Sequence, residues 1–271
     1  KPSDLADMFC RVEALPEALV RPLLAERKHW DGHAAYFEHL DALPLGPNVA
    51  SFVGHSALRA HVMGLERSLR KEERPSGAEL GEMERLLVEA LDVGYLGASV
   101  QTLPWDKMGG ESWYRSRPLP SCFAKWSEVR RLTRILRERG RVFQGVPNVS
   151  TKVNIVLFLL ESAGFFVRKA LKTTVISMMD APGQRFLRTL QSWMSRAVNT
   201  LLGGDFRWQA LPEKFDLWAD GIDLVVFEEF GAGAAALHLA DEAQRGRLLQ
   251  DAAYRAWFRR QWKSKLLPRI F

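Results

Sequence analysis

A chain of 271 residues, 47% hydrophobic and 26% charged, can bury a sizeable core in one large domain or two small ones. Its net charge of +6 raises nucleic acid as a partner, but the arginines are spread along helical segments that also carry acids, so none is expected. The longest apolar run, VNIVLFLLESAGFFV, is broken by Glu161 and falls short of the roughly 20 residues a membrane-spanning helix needs, so no membrane partner is expected either. The opening KPSDLADMFC lacks the basic-then-apolar pattern of a secretory leader and has no initiating methionine, which predicts a start inside a longer gene product. Two cysteines, Cys10 and Cys122, form neither a disulfide framework nor a CxxC site, and this suits a cytoplasmic location.

In chain order, residues 4–28 carry apolar residues at helical spacing interrupted at Pro16 and Pro22, which predicts two short helices or a helix and a loop. GHAAYFEHLDAL fits another short helix. NVASFVGH is a run of strand formers closed by glycine, and SALRAHVMG follows as a helix that Ser56 could cap. In SGAELGEMERLLVEALDVG, Ser76 and Glu79 are spaced as a capping box, Leu80, Met83, Leu86, Leu87 and Leu91 share a face, and Gly94 terminates. A short strand, YLGASVQT, comes next. After a Gly/Pro/Ser-rich loop from Leu103 to Ser121, a helix over 127–139 ends at Gly140, its basic residues opposite Val129, Leu132, Ile135 and Leu136 as on a solvated face. RVFQGVPNV resumes as a strand, TKVNIVLFLLESAGFFVRKA as a helix, and KTTVISMMD as a β-branched strand ending in an acid. Beyond residue 180 we expect an amphipathic helix over 184–202, one strong strand at IDLVVFEEF, and a helical end whose basic FRRQWKSKLLPRIF reads as a snorkelling face.

Strand candidates at about residues 50, 96, 143 and 175, separated by helices, predict an α/β protein with parallel strands. Their spacing of about 30 to 50 residues fits a TIM-type (β/α)8 barrel with loop insertions better than a Rossmann unit, and no GxGxxG follows a strand. In such a barrel the C-terminal strand ends line the site. They supply His55, Ser56 and Arg59, then Ser99, Gln101 and Thr102, then Gln144, Asn148 and Lys152, and finally Asp180. With one histidine among them, these candidates make no complete metal site. His29 and His33 are spaced i,i+4 without an HExxH glutamate and read as surface residues. Glu228 and Glu229, adjacent on a predicted strand, point to opposite faces. His55 is either a structural histidine bonded to backbone or a base, ligand or substrate contact; Arg59 either clamps a carboxylate or is solvated.

NVASFVGHSALRAHVMG resembles a segment after an early barrel strand in the N-acyl-D-amino-acid deacylase (D-aminoacylase) branch of the amidohydrolase superfamily, approximately N-V-x-x-L-V-G-H-x-x-L-R-x-x-V-M-G. The similarity continues through EMERLLVEALDVGYLGASVQTLPW, and GRVFQGVPN and LKTTVISMM fall where that family has its next two strands. It covers most of residues 40–180, with 205–262 set against the family's inserted substrate-side segment. The resemblance implies a metal-dependent (β/α)8 hydrolase of carbon-nitrogen (non-peptide) bonds, acting on an N-acyl amino acid with zinc as cofactor, a metal-bound water as nucleophile and an aspartate as proton shuttle. The family's S-H-x-R motif is replaced around Gln144 to Pro147, TTVISMMD has no histidine where a ligand belongs, and Trp105 lies near the place of a usual tyrosine. The family's H-x-H or H-x-D strand, metal-binding cysteine and catalytic aspartate would fall outside residues 1–271. We therefore expect residues 1–271 to be the central part of one barrel, incomplete in this chain, with 181–262 as an inserted or substrate-side helical segment. Two alternatives are a non-catalytic small-molecule-binding protein on the same scaffold and a basic interaction module built on the last helix.

Overall fold

The computed structural model describes residues 1–110, 112–148, 151–165, 168–176, 178, 185–210, 224–239 and 241–263. The chain opens with α1 (Pro2–Phe9), α2 (Glu17–Arg27) and α3 (His33–Asp41). Next come β1 (Phe52–Gly54), α4 (His55–Met63), α5 (Leu65–Ser68), α6 (Gly77–Asp92) and β2 (Gly97–Gln101). A 3₁₀ turn at Pro120–Phe123 leads to α7 (Trp126–Glu138), β3 (Val142–Val146), α8 (Lys152–Ser162) and β4 (Lys172–Ile176). They are followed by α9 (Arg185–Leu201), β5 (Asp205–Gln209), a 3₁₀ turn at Val225–Glu229, α10 (Gly231–Leu237), α11 (Glu242–Gln250) and α12 (Ala252–Lys263). Two compact units emerge. One joins Lys1–Arg27, Trp105–Pro118 and Glu213–Phe271; the other joins Lys28–Pro104 and Leu119–Pro212.

The second unit is built on a five-stranded sheet in the order β1-β2-β3-β4-β5, every neighbouring pair parallel. The four strands expected from sequence are present, and β5 adds a fifth inside the span read as an inserted segment. DFRWQ alternates polar and apolar residues as a half-buried strand should, a pattern hidden within an aromatic-rich stretch. Register aligns Val53, Ala98, Phe143, Thr173 and Phe206 in one row. All five are buried, together with Val100 and Val175 two residues on along β2 and β4. This face packs under α4 and α6 to α9 in one hydrophobic core that includes Met83, Leu87, Leu91, Leu132 and Leu136. Since alternate strand residues point to opposite faces, the other face carries the row Ser99, Gln144, Thr174 and Arg207. The first three are partly exposed and Arg207 is exposed.

The capping box of α6 forms as the sequence implies: Glu79 N–H donates to Ser76 Oγ (3.2 Å) and Ser76 N–H to Glu79 Oε2 (2.8 Å). Gly140, at φ +64°, ends α7. One expectation for α7 is overturned: Arg137 lies on the buried side, its guanidinium bonded to Glu161 of α8.

The first unit gathers α1, α2 and α10 to α12. Phe230, Ala232, Ala236 and Tyr254 form its core, against which Phe227, Trp257 and Phe258 pack. The strand predicted at IDLVVFEEF is not what forms over Val225–Glu229. Phe227 and Phe230 both pack against the rings of Phe258 and Trp262, Phe227 tilted and Phe230 edge-on. Residues three apart share a side in a 3₁₀ helix, where i and i+3 eclipse, and would diverge in a strand. Pro22 is tolerated inside α2.

The sheet leaves no room at Gly145, where an added Cβ would lie 1.9 Å from the Phe158 ring. That ring stacks on Phe143 with centroids 5.4 Å apart and cannot yield without disturbing the core. Gly145→Ala should therefore cost about 1–3 kcal/mol of stability, read as a lower urea midpoint; an unchanged midpoint would refute this packing.

Candidate functional site

α4 starts at the residue after β1, so the turn from strand to helix places His55 and Ser56 at the helix head and Arg59, four residues after His55, on the same side. The long segment before α7 returns to this point through Ser121 in the 3₁₀ turn, and α7 brings Glu128 in its first turn. These five side chains form one cluster. His55 Nε2 lies 2.9 Å from Glu128 Oε1 and His55 Nδ1 lies 3.1 Å from Ser121 Oγ. Arg59 Nη1 donates to both Glu128 oxygens, at 2.6 and 2.5 Å. Ser56 Oγ is 2.8 Å from Ser121 Oγ and accepts the Ser121 backbone N–H at 3.1 Å. Arg59 is fully buried, and His55, Ser121 and Glu128 are 1%, 2% and 5% exposed, whereas Ser56 is only partly buried.

Burial alone would push the Glu128 carboxyl up; the hydrogen bonds from His55 and Arg59 and the positive charge of Arg59 outweigh it and hold it below the usual range. The group is ionised at neutral pH. Arg59 Nε and Nη2 find no hydrogen-bond partner among the described residues, so the guanidinium is committed to Glu128 through one nitrogen.

The remaining sequence candidates fall elsewhere in the same unit. Thr102 Oγ1 lies 2.7 Å from both Val146 O and Asn154 Oδ1, and the Asn148 backbone N–H donates to Thr102 Oγ1 and Asn154 Oδ1 at 3.1 and 2.8 Å. This group ties the ends of β2 and β3 to the start of α8, whose first residue is Lys152. Gln101 Oε1 accepts the Leu103 N–H at 3.0 Å. Ser99 and Gln144 are register partners on the polar face of the sheet. Asp180 lies outside the described residues.

Ser121 and Glu128 escape a reading of strand ends because neither follows a strand directly. One signal was available: Glu128, Leu132 and Leu136 are spaced i, i+4, i+8, which sets an acid in line with the buried stripe of α7.

In the first unit, Glu228 is bound by Arg11 and by His238 Nε2 at 3.2 Å. It lines a cavity of about 390 Å³ with Arg11, Arg115, Glu17, Glu242 and Trp105. Asp106 is pushed up to about 6 by burial, with Glu13 and Glu228 adding repulsion. His33 packs edge-on against Tyr95 and His29 precedes α3, so the two do not share a helix.

Among the described residues, no three His, Cys, Asp or Glu side chains converge to hold a metal ion. His55 has both ring nitrogens engaged and its carboxylate neighbour is neutralised by an arginine. This donor set does not fit zinc.

No family model matches the chain. An uncharacterized protein of Mycobacterium bovis and two of Mycobacterium tuberculosis are each 46% identical to it over 270 residues, 99% of this chain and 44% of the relative. The chain thus spans less than half the length of these curated relatives. Among solved structures, the N-acyl-D-glutamate deacylase of Bordetella bronchiseptica, complexed with zinc and a phosphonate mimic of the tetrahedral intermediate, is similar at 21% identity and a TM-score of 0.47. That similarity covers 69% of this chain and 35% of the deacylase.

Removing one partner of a buried ion pair strands the other, so Glu128→Ala should cost about 3–5 kcal/mol, measured by urea unfolding. Because the folded carboxyl is held below its ordinary value near 4.5, its contribution is complete above that value and is lost as pH falls through the lowered one. The gap in stability between wild type and Glu128→Gln should shrink correspondingly on acidification; a gap that widens would overturn the sign.

Proposed function

We propose that this chain is the central part of an amidohydrolase-type (β/α)8 hydrolase of the cytoplasm that cleaves the carbon-nitrogen amide bond of an N-acyl-D-amino acid. The observation that carries this reading is the strand order. Five parallel strands follow one another in sequence order, helices intervene between consecutive strands, and the segment that resembles the deacylases spans the turn from β1 into α4. This is the repeat from which such barrels are built. The unit of residues 28–104 and 119–212 then supplies the barrel elements, so that 181–262 contributes to the barrel as well as to the substrate-side segment.

The site residues take two roles in this proposal. His55, Ser56 and Arg59, with Ser121 and Glu128, set the first βα turn, while Thr102, Gln101 and Asn148 fix the next two strand ends. Ser99 and Gln144 offer polar contacts to the amide, and Asp180, which follows β4 in the sequence, is a further substrate contact in this proposal. Arg207, in their row, supplies a guanidinium suited to the substrate carboxylate. Zinc, which the resemblance implies for the complete family member, is assigned no ligand among these residues.

A second reading, a small-molecule-binding protein on the same scaffold, is favoured by the internal pairing of His55 and Arg59 with Glu128, which turns all three toward one another. One experiment separates the two. The chain and the longer M. tuberculosis relative are analysed for metal by elemental analysis and for release of amino acid from N-acyl-D-amino acids. Metal and turnover in the longer protein are expected; neither metal nor turnover, together with saturable binding of the acyl amino acid, would replace the enzyme with the binding protein.

A further inference from the structure

With His55 neutral, the cluster at the head of α4 has a single hydrogen-bond direction. An ionised carboxylate only accepts, so His55 Nε2 must donate to Glu128. A neutral imidazole then has one acceptor left, Nδ1, and the atom facing it is Ser121 Oγ. Ser121 therefore spends its single hydroxyl proton on His55, and across the 2.8 Å contact it accepts the proton of Ser56. The backbone N–H of Ser121 donates to Ser56 Oγ, which leaves Ser56 free to donate outward along the chain. The order is Ser56 to Ser121 to His55 to Glu128, with Arg59 behind the carboxylate. Ser56 alone of the five is not buried. Beside it, α4 is nine residues long and begins at His55, and its N-cap Gly54 makes no side-chain cap, so the first-turn N–H groups next to Ser56 are donors without an intrahelical partner.

We propose that Ser56 is a nucleophile toward acyl groups, activated through Ser121 by His55 and Glu128, and that it gives the protein a metal-independent acyl-transfer activity on esters and comparably activated acyl compounds. The proposal does not depend on the deacylase reading. Ser56 Oγ bonds to the acyl carbon as its proton passes to Ser121 and the Ser121 proton passes to His55 Nδ1. The N–H donors at the head of α4 stabilise the oxyanion. The bond to the leaving alcohol breaks, and Ser121 hands the proton back from His55 to the departing alkoxide. Water then attacks the acyl-Ser56, giving its proton to the same chain, and the acid leaves as Ser56 recovers its hydrogen. Ester and water become acid and alcohol, with no redox change.

The test is labelling of the full chain with a fluorophosphonate probe in the presence of EDTA, with the modified residue located by peptide mass. Loss of fluoride leaves a phosphonyl group on the attacked oxygen, so the readout does not need a known substrate. The expected result is one adduct at Ser56, formed about a hundredfold faster than any adduct at the half-buried Ser99 of the same molecule. Ser56→Ala should remove it. Ser121→Ala, checked for folding by circular dichroism, should slow it by a similar factor. No adduct at Ser56 in the folded wild type, a rate no greater than at Ser99, or an unchanged rate in folded Ser121→Ala would each show the cluster to be a buried polar clasp only.

Discussion

The carboxylate of Glu128, buried under helices and balanced by His55 and Arg59, is the constraint on which the arrangement of the second unit depends. An ion taken out of water loses several kcal/mol of hydration, regained only when partners sit at hydrogen-bond distance. α7 can therefore pack on the sheet only where its first turn meets the head of α4. A second buried acid repeats the device one helix further on: Glu161 of α8 accepts from Thr133 and Arg137 of α7. Each clasp joins helices that come from different βα units and cover the same face of the sheet, so register errors between units are penalised by stranded charge as well as by lost packing.

These clasps are not where most of the stability lies. A fully buried Leu or Phe contributes about 1.5–3 kcal/mol, and the core under α4 and α6 to α9 holds Leu87, Leu136, Phe143, Phe158 and Phe206 at full or nearly full burial. A buried ion pair is often about neutral against an apolar replacement of the same volume. The division of labour follows from those magnitudes: apolar packing supplies the free energy, and the charged contacts fix which packing is adopted. The sheet itself is asymmetric in the same sense. Its helix-covered face is apolar, and its other face presents Ser99, Gln144, Thr174 and Arg207 in register, where a closed barrel without a ligand would use bulky branched residues.

What could be read from the sequence was what depends on short-range pattern. The four strands, the Ser76 capping box and the terminating Gly140 announce themselves through β-branched runs, fixed spacing and backbone freedom. The failures share a cause in tertiary contacts. IDLVVFEEF has strand propensity, but the aromatic contacts of Phe227 and Phe230 with α12 select a 3₁₀ turn over Val225–Glu229. Arg137 looks solvated on a helical wheel and is buried because Glu161 arrives from another helix. His55, Ser56 and Arg59 stood out by their place after a strand; Ser121 and Glu128 lie more than sixty residues away along the chain, and no spacing rule connects them.

The state of His55 also separates the chemistries open to this end of the sheet. A metal ligand must present an imidazole lone pair, and a neutral imidazole has one. Here Nε2 faces a carboxylate that can only accept and Nδ1 faces a hydroxyl, so the lone pair is already directed at Ser121. The positive charge of Arg59 on the same carboxylate would further oppose a cation beside it. Both ring nitrogens of His55 are held by its neighbours, and any metal chemistry of a longer protein would have to be assembled from other donors while leaving this cluster intact.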